Sequence, residues 1–330
     1  MPNKRKPRSG SLQFWPRKRA KRSFPRLRNF PKNNDSGLLG FAGYKVGMTH
    51  IIAIENNKNS PNKGNEVSIP VTIIECPPIK IAAVRFYNRS SVLKVANEIW
   101  AKPDKELAKK LNLSKKKGNA KKELEEIKAG DYDELKVLVY TQPRMTTIGK
   151  KKPELFELAL GGNIEEQFNY AKENLGKEII IEDVFKEGEL TDIHAVTKGK
   201  GFQGPVKRFG IAIRQHKSEK AIRNPGSLGP WQGHAHIMWR VPHAGKMGYH
   251  QRTEYNKQIL KISKDVSEIE QIGGFLRYGK INNTYLLMKG SIPGTKKRFV
   301  AMTKPMRPNK KVPKDAPVIT YISKSSKQGI

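Results

Sequence analysis

The chain has 330 residues, with 64 lysines and arginines against 30 aspartates and glutamates, a formal net charge of +34. So large an imbalance calls for a polyanionic partner; nucleic acid fits best, because cation–phosphate contacts release condensed counterions, and a membrane surface is the weaker alternative. Hydrophobic residues make up 36% and there is one cysteine, Cys76, so part of the chain lies outside any core, and an intrachain disulfide or a cysteine-rich zinc site is excluded. No run of about 18 apolar residues spans a bilayer, and the basic N-terminus lacks the apolar stretch of a secretory signal.

Residues 1–36 read as a basic arm. "MPNKRKPRSGSLQFWPRKRAKRSFPRLRNFPK" holds no acid, is broken by prolines and shows no period of 2 or 3.6. Phe14, Trp15, Phe24 and Phe30 are spaced among its cations. Disordered tails rarely keep aromatics, whereas arginine forks and flat rings together suit phosphates and unstacked bases. Arg5, Arg8, Phe14, Trp15, Arg17, Lys18, Arg19, Lys21 and Arg22 are therefore candidate RNA contacts; a solvated tail is the plainer alternative.

Residues 37–87 read as β structure. "SGLLGFAGYKVGMTHIIAIEN", Ser36 to Asn56, predicts strand–turn–strand, and "NEVSIPVTIIECPPIKIAAVRFY" predicts two strands. Cys76 reads as a small buried hydrophobe. From 88 to 176 the pattern becomes α/β and the acids concentrate, as in a subdomain inserted into a β domain. "NEIWAKPDKELAKKLNL" and "NAKKELEEIKAG" predict helices, the second with Glu and Lys four apart. "DELKVLVYTQP" predicts a strand, and "NIEEQFNYAKENLG" a helix ending at Gly176. The lysines of "GKKKPELFELALGG" suit either RNA or solvent.

Residues 177–208 resume the strands and then turn glycine-rich and basic. "GKGFQGPV", Gly199 to Val206, matches the G-x-G-x-x-G spacing. A dinucleotide site would need a helix opening here and a strand before an acid about 20 residues on; "RFGIAIRQHKSE" offers no convincing pair of these. A kinase would need HRD and DFG motifs, and neither occurs. What remains is a glycine turn with exposed amides, flanked by Lys198, Lys200, Lys207 and Arg208 and suited to a phosphate backbone.

Residues 209–257 show no sustained period, and so long a structureless stretch inside a compact domain is expected to be functional. "NPGSLGPWQGHAHIMWRVPHAGKMGYHQRTEYNK", Asn224 to Lys257, carries four of the seven histidines and two of the four tryptophans. A metal reading fails on ligands: no HExxH occurs, no carboxylate lies between Glu219 and Glu254, and the neighbouring charges are positive. The histidines read as hydrogen-bond donors or stacking planes on RNA, or as groups packed within the loop. Trp231, after "GP" in mid-loop, reads as an RNA-facing tip; Trp239, in "HIMWRV", as a packed strand residue. The loop's candidate contacts are Arg214, Lys217, Arg223, Trp231, His234, His236, Arg240, His243, Lys246, His250, Arg252 and Lys257. Residues 258–304 return to strands, and 305–330 form a basic tail with prolines. No nucleophile–base pair and no cofactor pocket accompanies any of this. A non-enzymatic RNA-binding protein is therefore expected; an RNA-modifying enzyme lacks its acid–base pair, and a nonspecific condensing protein would not need the ordered β blocks.

Three blocks carry a family resemblance: "GSLQFWPRKRAKR"; "FKEGELTDIHAVTKGKGFQGPVKRFG", with Phe185, Asp192, Ala195, Thr197, Gly199, Lys200, Gly201, Gly204 and Arg208 at signature positions; and "WQGHAHIMWRVPHAGKMGYHQRTEYNK". "GFAGYKVGMTH" and "GGFLRYGKINNTYLLMKGSIPG" add to them. The chain resembles the large-subunit ribosomal protein L-three family, archaeal and eukaryotic type, and is nearer the archaeal form. The resemblance implies a mostly β fold, a translation-factor-like β-barrel with an α/β insertion and long non-globular RNA-binding extensions. It implies a structural constituent of the large subunit that binds its rRNA early in assembly. Trp231 would be the tip of a central loop reaching toward the peptidyl transferase centre and supporting aminoacyl-tRNA accommodation, and His216 would lie at the loop's base. It implies no cofactor, any structural Mg2+ belonging to the rRNA. The neighbours would be the L-fourteen and L-twenty-four-type proteins, in a cytoplasmic ribosome, without a membrane and without self-association. The extensions are expected to order on binding RNA.

Overall fold

The computed structural model describes residues 7–33, 35–111, 124–229 and 236–326. Two compact units emerge. One joins Met1–Arg22 to Val196–Gln251, and the other joins Ser23–Ala195 to Arg252–Ile330. The chain is mostly β, as its valine- and isoleucine-rich segments predict.

The larger unit holds two sheets. In the first, β2 (Gly40–Ile54), β3 (Glu66–Glu75), β9 (Leu190–Val196), β12 (Gln251–Ser263), β13 (Tyr285–Lys289) and β14 (Phe299–Thr303) pair in the order β2–β3–β13–β12–β9–β14, and β14 pairs β2 again. β15 (Ile319–Ile322) pairs β2 at Ile51 to Ala53, beyond the Gly40–Tyr44 stretch that pairs β14. The second sheet runs β1 (Gly37–Leu38), β7 (Leu155–Gly161), β6 (Glu134–Tyr140), β4 (Ile79–Arg89) and β5 (Leu93–Trp100), with β8 (Glu178–Ile179) on β4. One hydrophobic cluster unites them: Ile73, Met288 and Phe299 from the first sheet, and Val84, Val137 and Leu158 from the second. Each such side chain contributes roughly 1.5–3 kcal/mol by leaving water. Cys76 is buried, as expected.

β2 corrects the strand–turn–strand expectation, because it runs unbroken for 15 residues with one bulge between Lys45 and Gly47. Gly43 is there for close approach rather than for a turn. A Cβ on it would lie 2.6 Å from the Ile74 side chain and 2.8 Å from the Cys76 sulfur. The helix expected over "NEIWAKPDKELAKKLNL" is also corrected. Leu93–Trp100 is a strand laddered on β4, and only α1 (Lys105–Ala108) is helical. Pro103 favours extended backbone at Lys102, so no helix runs through it, and ladder pairing outweighs the helical propensity of the residues before it. The predicted helix near residue 163 is present as α2 (Ile164–Asn174), opened by an Asn163–Glu166 capping box. In "NAKKELEEIKAG", residues 119–123 lie outside the described residues; of the rest, only a helical turn at 124–126 and a 3-10 turn at Ala129–Asp131 form, so the long helix expected there is not seen in the described part. The tail supplies β15, from "VITYI", where a basic coil is expected from the sequence.

Buried polar groups fasten the loops. Glu75, with no exposed surface, accepts from the Asn282 and Asn283 N–H groups, from Asn283 Nδ2 at 2.7 Å and from the Tyr278 hydroxyl. Phe24 and Phe30, grouped with the arm's RNA-facing aromatics by the sequence, instead pack partly buried on the core. The Phe24 ring stands edge-on to Phe299 at 5.9 Å. Lys150, in the lysine cluster before β7, ion-pairs with the buried Glu154, while Lys151 and Lys152 are exposed.

Candidate nucleic-acid interface

The smaller unit holds nineteen lysines and arginines and one acid, Glu219. Self-repulsion on this scale opposes compaction, so something must hold the unit together. Phe209 does much of it. This ring is only 5% exposed, and Trp15 stacks on it with centroids 5.0 Å apart and planes 22° from parallel. The Arg17 guanidinium lies 4.2 Å from the Phe209 centroid and that of Arg208 5.0 Å, each attracted by the negative face of the ring.

Local sequence explains how Phe209 gets there. α3 (Pro205–Phe209) starts with proline in its first turn, where no N–H is needed, and stops at Gly210 in the left-handed conformation, φ 69°. A short helix thus opens at the third glycine of G-x-G-x-x-G, one of the two elements a dinucleotide site would need. It is five residues long and follows an antiparallel strand, so the parallel dinucleotide unit is still missing.

Arg208 is the joint. Its Nε donates to the Lys246 carbonyl at 3.0 Å, Nη1 to His243 at 2.9 Å and Nη2 to Arg17 at 3.2 Å. Arg17 Nη1 donates in return to the Arg208 carbonyl. Gly245 makes room, since a Cβ there would lie 2.8 Å from Arg208 Nη1. Burial lowers the pKa of both guanidiniums, and for Arg208 the nearby charge of Arg17 adds to the effect. Two crowded cations of this kind are an electrostatic demand for an anion.

A second seam runs beside β10 (Phe202–Gln203) and β11 (Gly245–Lys246), which pair antiparallel. His250, 7% exposed, accepts Thr197 N–H through its carbonyl at 2.9 Å, and its Nδ1 lies 2.7 Å from the Lys18 carbonyl. Ala20 N–H donates to the Tyr249 carbonyl, and the Arg19 guanidinium sits 5.5 Å from the Tyr249 ring centroid. The arm from Lys18 to Ala20 is thereby tied along residues 248–250.

The candidate contacts sort by this geometry. Trp15, Arg17, Arg208 and His250 are largely occupied inside the unit, and His243 gives its carbonyl to Arg208. Arg8, Phe14, Lys18, Arg19, Lys21, Arg22, Lys198, Lys200, Lys207, His216, Lys217, Arg223, His236, Arg240 and Lys246 are exposed. Arg214 is half-buried. Arg252 and Lys257 are on β12, where Lys257 pairs with Glu254 at 3.0 Å. Arg5, Trp231 and His234 lie outside the described residues. Trp239 departs from the strand expectation: it sits in a turn, 68% exposed, with its ring edge-on to Trp15 at 5.7 Å. Arg8 joins this edge by donating to the Arg240 carbonyl at 2.7 Å. Sequence reasoning missed Phe202, 67% exposed between basic glycines, and Tyr249, whose φ of 53° is uncommon for a residue with a Cβ. A large ring inside a basic glycine turn was the available signal for the first.

Among the described residues, no three His, Cys, Asp or Glu side chains gather as metal ligands, and no helix is long and apolar enough to cross a membrane.

A family model described as ribosomal protein L3 matches residues 1–329. The chain is 49% identical over 335 residues to the large ribosomal subunit protein uL3 of Methanocaldococcus jannaschii, covering 99% of each chain. It is 48% identical to that of Archaeoglobus fulgidus, covering 98% of each, and 44% identical to that of Methanopyrus kandleri, covering 99% of this chain and 93% of the relative. The chain belongs to the ribosomal protein L3 family, whose members are structural proteins of the large ribosomal subunit and not enzymes.

Proposed function

We propose that the chain binds large-subunit rRNA directly, through the unit formed by Met1–Arg22 and Val196–Gln251. One observation carries this reading: nineteen cations and a single acid share that unit, and its guanidiniums and rings are interleaved. Exposed lysines and arginines there suit phosphates, glycines allow close backbone approach, and flat side chains suit unstacked bases. The ring of strand pairings from β2 through β14 and back to β2 supports a closed, translation-factor-like barrel as the globular anchor; the insertion read from the sequence as 88–176 extends to the whole of β4 and β8, residues 79–179, between β3 and β9.

In the ribosome, the stretch from 209 to 250 acts as a central loop whose Trp231 reaches toward the peptidyl transferase centre and supports aminoacyl-tRNA accommodation; residues 251–257, grouped with that loop by the sequence, belong instead to strand β12. Binding comes early in subunit assembly, beside the L-fourteen and L-twenty-four-type proteins, and Mg2+ at the interface belongs to the rRNA. The test is the salt dependence of affinity for a large-subunit rRNA domain. Each phosphate contact removed should flatten the slope of log K against log salt by about 0.7–0.9. Replacing Lys198, Lys200, Lys207 and Lys246 by alanine together should flatten it by several such steps. An unchanged slope overturns the assignment.

A further inference from the structure

Resting on the RNA-binding reading, we propose that the smaller unit contains a pocket that takes one extruded, unpaired nucleotide of its RNA, holding the base against Tyr249 and Arg19. The cavity has a volume of about 260 Å³ and lies wholly within the unit. That is just below the roughly 300–1,000 Å³ of pockets for drug-sized ligands, a scale that suits a single base.

Its walls fit a base. Tyr249 supplies a ring face, and the Arg19 guanidinium lies 5.5 Å from that ring's centroid, so aromatic and planar cationic surfaces line the same space. Met247 adds a soft apolar wall, and Gly199, Gly201 and Gly248 line the space without side chains, the Gly201 carbonyl already accepting the Met247 N–H at 2.9 Å. Lys246 lines the rim, and Lys198 and Lys200 beside it are exposed. Phosphates on either side of a splayed nucleotide would meet cations there, which favours a polymer over a free nucleotide.

Two details separate a binding pocket from a packing defect. Gly248 is required by folding, because its φ is +73° and a Cβ would lie 2.0 Å from the Lys198 carbonyl. Gly199 is not. Its backbone angle is open to any residue, and a Cβ would meet only Tyr249 Cβ, at an ordinary 3.7 Å. A side chain at 199 would be accepted by the fold and would enter the cavity. Second, Tyr249 keeps a left-handed φ that asparagine or glycine would adopt more readily, and its ring is what the cavity gains in exchange.

The experiment uses the full chain and three RNAs of equal length: a perfect duplex, the same duplex with one bulged 2-aminopurine, and the same duplex with an abasic bulge. The bulged RNA should bind about tenfold more tightly than the other two, with the 2-aminopurine emission changing on binding. Gly199→Val should keep the melting temperature while erasing the preference for the bulged over the abasic RNA. Arg19→Ala, at an exposed arm position, should reduce the preference without unfolding the unit. Equal affinity for bulged and abasic RNA means that the pocket holds at most a phosphate, and overturns the proposal. So does a preference that survives Gly199→Val. Failure to bind any of the three RNAs at low salt would sink the RNA-binding reading itself; salt-dependent binding without bulge preference sinks only the pocket.

Discussion

Arg17 and Arg208 hold each other's backbone: Arg17 Nη1 donates to the Arg208 carbonyl at 2.5 Å, and Arg208 Nη2 donates to the Arg17 carbonyl at 3.2 Å. Both guanidiniums also lie on Phe209. Residues 191 apart in sequence are thereby fixed together in a region with almost no acid to neutralise it. Carbonyl dipoles and one ring do the work that carboxylates do elsewhere.

Arg208→Lys should be far from conservative. An ammonium cannot reach three carbonyls in the guanidinium's fixed fork, and net hydrogen bonds are worth about 0.5–1.5 kcal/mol each. Hydrogen exchange at residues 243–247 should speed up by an amount equal to about 2–4 kcal/mol of lost protection. Lys207→Ala, at the exposed neighbour, should change it by less than about 0.5 kcal/mol. Equal effects from the two would remove Arg208 from its role as the joint.

Gly43→Ala should destabilise the larger unit. The new methyl would press on Ile74 and Cys76 at 2.6 and 2.8 Å, and on the Glu75 carbonyl at 2.7 Å. Overpacking of this kind costs about 1–3 kcal/mol, measurable as a shift of the urea midpoint. A midpoint unchanged from the parent would mean that β2 and β3 are further apart than described.

Glu75→Ala should cost more, about 3 kcal/mol or above, because it leaves the Asn282 and Asn283 N–H groups and the Tyr278 phenol without an acceptor, and leaves the Asn283 amide with only the Met145 carbonyl. Denaturant melts of the full chain give the number. A loss under about 1 kcal/mol would show that water replaces the carboxylate at no penalty.

His194 gives the larger unit a pH dependence of definite sign. Its ring nitrogens lie 2.9 Å from the Thr253 hydroxyl and 3.1 Å from that of Thr303. Burial lowers its pKa below 6.5, against a smaller raising effect of Asp192. The folded state therefore binds the proton less readily than the unfolded chain does. Stability from this residue is fully present above about pH 6.5 and is lost as pH falls from there toward the folded pKa. Between pH 7 and pH 5, the parent should lose more stability than His194→Gln. Identical losses would show that His194 does not carry the effect.

Much of this was legible in the sequence, and the failures have physical causes. Strands β3, β4 and β6 announce themselves through β-branched runs, β13 and β14 and the second half of β12 through apolar runs, and α2 through a helical pattern that stops at Gly176. β2 was misread because glycine marks both turns and close backbone approach, and only the position of Ile74 and Cys76 separates the two at Gly43. β5 was misread because pairing on β4 outweighs helix propensity. At the candidate interface, charge singled out the stretches rich in cations but could not say which cations are spent internally. Arg208 and Lys207 are neighbours in sequence; one is a joint and the other faces solvent. Phe24 and Phe30 look like Trp15 among arginines, yet they belong to the core.

The central claim is that Met1–Arg22 and Val196–Gln251 form the RNA-binding face. The most direct test is ultraviolet crosslinking in intact cells, followed by identification of the crosslinked peptides and RNAs. The account predicts crosslinks to large-subunit rRNA, concentrated in those two segments and including peptides around Phe202 and Tyr249. Crosslinks confined to residues 23–195 and 252–330, or scattered over messenger RNA with the protein absent from large-subunit particles, would contradict it.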